Sequence, residues 1–377
     1  VRSEVPISVI KSSVIRTSVI NAAVLIPAAA CLLSAAETYF PPADNARSTQ
    51  WEQVAPDKVG WDAKALDRLL DYCGQRRSSH VVLLLDGKIL AERTWDPESY
   101  DHSRYYRYET TDQGLTVEDV ASVQKSVVSV LFGIARERGL VQLDDPVSKH
   151  LGRGWSQASP EQEAAIRMRH LLAMSSGLNQ ELQYRAPPGQ TWSYNTVAYR
   201  KIMPVLVKVS GMSENELTQT WLTKKIGMRD TRWYTRSWWS GEIGLMTTAR
   251  DLARFGLLML AEGKWNGHAV LGDVDYLRDA AKPWQPANPA YGRLWWLNQP
   301  KRMRSNGRIV GRYAPTGPDD LYAAFGALDR KVYVAPSMGL VAVRIGEGAR
   351  APGGRARFEA EEFNAEFWRL LTAAAPQ

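Results

Sequence analysis

The sequence predicts an α+β fold: an antiparallel sheet flanked by helices and built from both chain ends, with a mainly helical domain inserted between. Three observations predict it. Residues 80–93 hold two β-rich runs around Asp86-Gly87, and residues 331–345 hold two more around Pro336-Ser337-Met338-Gly339. Between them, residues 126–260 follow a mainly helical pattern, and residues 358–373 close the chain with an amphipathic helix. The partition that results is a leader at 1–36, a sheet domain from 37–125 and 257–377, and a helical domain at 126–256.

In the leader, Arg2, Lys11 and Arg16 precede an apolar run over 22–33 and the small residues Ser34-Ala35-Ala36. That order reads as a secretory signal peptide, and the run is short for a membrane span. Export to the periplasm or the medium is therefore expected. An uncleaved membrane anchor is one alternative, and a lipid anchor at Cys31 another, since Ala29-Ala30-Cys31 resembles the end of a lipobox.

Past Pro41-Pro42, residues 62–77 show helical spacing, with Ala65, Leu66, Leu69, Leu70 and Tyr72 on the apolar face. Asp86-Gly87 between β-rich runs is a strong hairpin cue. A polar, tyrosine-rich segment at 100–114 leads to the helix that begins near Ser122. Turns at Asp144-Asp145-Pro146, Ser175-Ser176-Gly177 and Pro187-Pro188-Gly189 punctuate the helical block, and the Ala/Pro/Gly/Arg-rich stretch 348–356 reads as an exposed loop. No internal repeat is present.

With 377 residues and 45% hydrophobic content the chain can bury one large core or two lobes. Its formal charge of +7 is modest for the length. Basic residues form no dense run, so nucleic acid is not an expected partner. Cleavage after Ala36 leaves Cys73 as the sole cysteine, on the apolar side of a helix, which suits a core thiol. No His/Cys/carboxylate cluster has metal-ligand spacing, and no cofactor is expected.

The chemistry concentrates in Ala121-Ser122-Val123-Gln124-Lys125-Ser126. Residues three apart on a helix share a face, so the Lys125 amine can reach the Ser122 hydroxyl. A serine hydroxyl is a poor nucleophile until a base takes its proton, and a lysine held neutral by burial is one such base. Free N–H groups at a helix start favour negative charge developing on an attacked carbonyl.

Four further blocks extend the pattern: residues 139–147 (GLVQLDDPV), 169–178 (RHLLAMSSGL), 188–196 (PGQTWSYNT) and 244–256 (GLMTTARDLARFG). Together with the Ser122 block they resemble, in order, the serine hydrolases of the class C β-lactamase type, which include DD-peptidases, family VIII esterases and 6-aminohexanoate-dimer hydrolases. The resemblance runs from about Trp51 to Ile345. It implies a β-lactamase/DD-peptidase-like fold, Ser122 as nucleophile, and Lys125 with Tyr194 as the base and acid. It also implies backbone N–H groups of Ser122 and Ala327 as the oxyanion hole.

Two departures bear on substrate. Thr196 stands where β-lactamases carry an asparagine, and Ala324-Phe325-Gly326 stands where they carry Lys-Thr-Gly. Losing that lysine removes the partner of a substrate carboxylate, which shifts the pattern toward family VIII esterases and 6-aminohexanoate-dimer hydrolases. Thr196 and Gly326 are candidate substrate contacts. Adjacent tryptophans on a strand face opposite ways, so one of Trp238-Trp239 and one of Trp295-Trp296 is expected to line a cleft; Trp238 and Trp296 are the candidates. No Gly-x-Ser-x-Gly elbow accompanies the five histidines, and His170, in a leucine-rich helix, reads as structural.

The leading expectation is a secreted serine hydrolase acting on small esters or unstrained amides through an acyl-Ser122 intermediate. A β-lactamase or DD-peptidase keeps the serine but needs carboxylate recognition. A catalytically silent envelope binding protein would keep only the fold and cleft. Acyl and leaving groups, and the oligomeric state, stay open.

Overall fold

The computed structural model describes residues 37–43, 50–96, 108–236, 242–303, 307–349 and 361–376. The leader 1–36, with its cleavage and lipidation motifs, lies outside the described residues, as do Trp238 and Trp239.

Helix α1 (Ala63–Gln75) starts where the Asp62 carboxylate accepts from the Ala65 N–H at 3.1 Å. It buries Ala65, Leu66, Leu69, Leu70 and Cys73. Tyr72, expected on that face, lies at its edge and stacks on Phe363 instead. Strands β1 (Ser78–Leu85) and β2 (Lys88–Thr94) form the expected hairpin. Asp86 and Gly87 both adopt positive φ, 46° and 85°, which is what a two-residue turn matched to strand twist demands. Gly87 is also obligatory for space, since a Cβ there would lie 1.9 Å from the Tyr39 carbonyl oxygen.

Strands β3 (Tyr108–Thr110) and β4 (Thr116–Asp119) lead through a 3₁₀ turn, Ala121–Val123, into α2 (Gln124–Glu137). Every residue of α2 from Gln124 to Ala135 is buried, so this helix is the spine of the molecule. Seven short helices follow: α3 (Val147–Leu151), α4 (Pro160–Ala165), α5 (Met168–Leu172), α6 (Thr196–Tyr199), α7 (Ile202–Ser210), α8 (Glu214–Thr218) and α9 (Lys224–Ile226). Next come β5 (Arg232–Thr235), β6 (Ile243–Thr247) and α10 (Ala249–Leu260). The C-terminal third holds β7 (Lys264–Trp265), β8 (His268–Ala269), α11 (Val274–Ala280), β9 (Trp296–Leu297), β10 (Arg302–Met303) and β11 (Ile309–Val310). The chain ends with β12 (Tyr322–Gly326), β13 (Arg330–Ala335), β14 (Leu340–Gly346) and α12 (Glu361–Ala374).

The main sheet has the order β2-β1-β14-β13-β12-β9, antiparallel throughout, so strands from the two chain ends meet at β1 and β14. A second antiparallel sheet, β3-β4-β6-β5, adds to the expected one; its strands are at most five residues long, β3 and β4 next to the polar segment before Ser122 and β5 and β6 inside the helical pattern, so alternation does not mark them. Helix α10, which spans the boundary expected at 256, packs on β1, β13 and β14, with Gly256 so close that a Cβ would lie 2.5 Å from Val341. Among the described residues no helix is long and apolar enough to cross a membrane.

Candidate active site

Between residues 116 and 135 every side chain is buried except Ser122, and between 321 and 335 every one except Ala327. The Ala121–Val123 turn and the end of β12, which carry these two openings, lie against each other. Gly326 makes the approach possible. A Cβ on it would lie 2.3 Å from the Val120 carbonyl oxygen and 3.3 Å from the Ser122 nitrogen. Gly326→Ala should therefore push β12 off the serine turn, costing about 1–3 kcal/mol of stability as an overpacked core does. It should also lower turnover per intact site, measured by thermal melts and by kinetics normalised to titrated serine.

Lys125 Nζ donates to Ser122 Oγ at 2.9 Å, one helical turn along as the spacing predicted. The lysine is 3% exposed. Burial, reinforced by the positive charges of Arg200 and Arg236, pushes its pKa down to about 7 against the pull of Glu242. The ammonium lies 5.1 Å from the ring centre of Tyr194 and 4.6 Å from that of Tyr199.

Tyr194 sits on a loop pinned at both sides. Gln180 Nε2 donates to the Tyr194 carbonyl at 2.9 Å, and Asn195 caps α6 while its amide donates to the Leu178 and Asn179 carbonyls at 2.8 and 2.7 Å. Its ring stacks on Trp296 at 5.9 Å, inside a cluster with Trp192 and Tyr291. The structure thus brings together Ser122, Lys125, Tyr194, Gly326, Ala327 and Trp296. Thr196 is the first residue of α6, half-buried and next to this loop.

The expectation that one of Trp295-Trp296 opens to a cleft is corrected. The pair does face opposite ways, but both directions are covered. Trp295 stacks on Phe255 of α10 and Trp296 backs Tyr194, leaving them 0% and 5% exposed. His170 is structural: buried, its Nδ1 accepts the Arg167 N–H at 3.0 Å, and burial beside Arg169 and Arg167 pushes its pKa down to about 4. Among the described residues no cluster of His, Cys, Asp and Glu could hold a metal.

What the sequence did not reveal is the charge frame behind the serine. Asp119, fully buried, accepts from Arg236 at 2.6 and 2.8 Å, from the Tyr234 hydroxyl at 2.6 Å and from the Ala121 N–H at 2.7 Å. Arg236 also meets Gln124, and Glu242 pairs with Arg200. Asp119 and Arg236 are 117 positions apart, and no local pattern joins them.

Comparison with known proteins bears on the family and the fold. The Beta-lactamase family pattern matches residues 66–349. The chain belongs to the Beta-lactamase family. An uncharacterised protein of Alkalihalophilus pseudofirmus is 24% identical over 326 residues, covering 79% of this chain and 91% of that protein. A putative β-lactamase from Bacteroides dorei superposes with TM-score 0.63 at 17% identity, covering 84% of this chain and all of that one. A putative 6-aminohexanoate-dimer hydrolase from Bacillus anthracis gives TM-score 0.61 at 16% identity, covering 87% and 89%. EstCE1, a hydrolase with promiscuous acyltransferase activity, gives 0.57 at 14%, covering 81% and 98%. At these identities the solved structures speak to the fold. This Beta-lactamase family member is a serine hydrolase with the α+β architecture that its sequence predicted.

Proposed function

We propose that this hydrolase is exported and cleaves small esters or unstrained amides through an acyl-Ser122 intermediate, with Lys125 and Tyr194 as its proton-transfer pair. The 2.9 Å contact between Lys125 Nζ and Ser122 Oγ carries the reading. Neutral Lys125 takes the hydroxyl proton as Oγ adds to the carbonyl carbon. The oxyanion is held by the N–H groups of Ser122 and Ala327. Collapse breaks the bond to the leaving group, which receives a proton relayed through Tyr194, and water then hydrolyses the acyl-serine by the same steps. The leader motif at 1–36 supports export.

Esters are favoured over β-lactams by the charge on β12. Ala324-Phe325-Gly326 offers no cation, and the nearest lysine in sequence, Lys331, is 2% exposed and turned inward to Asp329 at 3.0 Å. A hydrogen bond to a charged group contributes roughly 1.5–3 kcal/mol, so a carboxylate-bearing β-lactam forfeits on the order of tenfold to a hundredfold here, and more with Thr196 in place of the asparagine. Purified protein should hydrolyse p-nitrophenyl butyrate with kcat/KM at least a hundredfold above that for nitrocefin. The reverse order would establish the β-lactamase reading, and failure of a fluorophosphonate to label Ser122 would leave a silent binding protein.

A further inference from the structure

Two consecutive residues of β4, Glu118 and Asp119, are both fully buried, and strand alternation sends their carboxylates to opposite sides. Asp119 reaches forward, accepting the Ala121 N–H at 2.7 Å. That bond braces a residue at φ 50°, a left-handed value that alanine adopts only under constraint, immediately before Ser122. Glu118 reaches back. Its carboxylate accepts from Arg330 Nε at 3.2 Å, from the Gly346 N–H at 3.1 Å and from the Ser79 hydroxyl, and pairs with the Arg330 guanidinium at 3.1 Å. Arg330 in turn donates to the Ala327 carbonyl at 3.2 Å, and Arg344 donates to the next carbonyl, Leu328, at 2.7 Å. This second turn is strained as well, with Leu328 at φ 61° and Asp329 at φ 60°.

We infer that Glu118 and Asp119 are positioning residues that lock the serine turn and the Ala327 turn to one strand, fixing the gap in which the oxyanion forms. Two strained turns, each clamped by a buried carboxylate from the same dipeptide, need a reason to be held in register. The oxyanion gap supplies it, because donors that are off by a fraction of an ångström lose most of their stabilisation. The inference rests on the proposed role of Ala327 as the second oxyanion donor.

The test uses the full chain, Glu118→Gln and the milder Ser79→Ala, with p-nitrophenyl butyrate turnover counted per fluorophosphonate-titrated serine. Glu118→Gln keeps the side-chain volume and an acceptor but loses the charge that holds Arg330. Its kcat should fall about tenfold with KM little changed, in acylation and deacylation alike, because both pass through the same oxyanion. Ser79→Ala should fall about threefold in the same two steps, and it reports if the first variant does not fold. The acid limb of the pH profile should stay in place for both, since neither touches Lys125. Unchanged kcat per titrated serine in Ser79→Ala and in folded Glu118→Gln would overturn the inference and make the network purely structural. Failure of the wild-type chain to label or turn over would instead strike the proposed function.

Discussion

Ser122→Ala should abolish ester turnover, by about four orders of magnitude or more, while the protein melts within a few degrees of wild type. The first half follows from the site: no acyl-enzyme can form once Oγ is gone, and what remains is the binding and electrostatic contribution of the cleft. The second half follows from the structure of the turn. Ser122 caps no helix; its side chain is half-buried, and among the described residues its hydroxyl bonds to Lys125 alone. Deleting it leaves Lys125 able to rest as a neutral amine between two aromatic rings, so the cost is of the order of a lost hydrogen bond, about 1 kcal/mol. Intact-mass measurement after fluorophosphonate treatment checks both parts. Wild type should gain one adduct, mapped to Ser122, and the alanine variant none. An adduct on the folded variant, or retained turnover, would place the nucleophile elsewhere.

Much of this site is local in sequence, and that part was legible. Ser122 and Lys125 are one helical turn apart, so periodicity alone places them together, and the Asp86-Gly87 hairpin is fixed by two residues that tolerate positive φ. The relation of Tyr194 to that pair came from the resemblance of its flanking blocks, not from spacing. The parts that could not be read are those that depend on distant partners. Asp119 with Arg236 and Glu118 with Arg330 join residues over a hundred positions apart, and on paper each is an ordinary charged residue near a strand. Strands β5 and β6 are too short for alternation to declare itself. Trp296 shows a different limit: adjacent tryptophans do face opposite ways, but whether a face of a short edge strand is open depends on what packs there, and Trp192, Tyr194 and Tyr291 cover this one.

Lys125→Met should cost about three orders of magnitude in kcat and, at the same time, stabilise the protein at neutral and acid pH. Burial and the flanking guanidiniums hold the folded-state pKa near 7, against 10.5 for an ordinary lysine. Two consequences have fixed signs. In catalysis the base must be neutral, so wild-type turnover should rise with pH through about 7 and level off above it. In folding, the unfolded chain binds more protons than the folded one between about 7 and 10.5, so the lysine makes wild-type stability increase with pH across that window. Below 7 its penalty is complete, of the order of a few kcal/mol, and above 10.5 it is gone. Methionine fills similar volume without the charge, so its stabilising effect should be greatest at pH 7 and below and should fade toward pH 10.5. Tyr194→Phe, tested alone and combined with Lys125→Met, adds the functional half: members of one proton-transfer unit are not additive, and the double variant should be little slower than the worse single one. Denaturant melts across pH 6–10 for the methionine and wild-type proteins decide the first point. Parallel stability curves would mean that Lys125 enters the folded protein as an ordinary charged lysine, and clean additivity with Tyr194 would mean that the two groups do not share a proton.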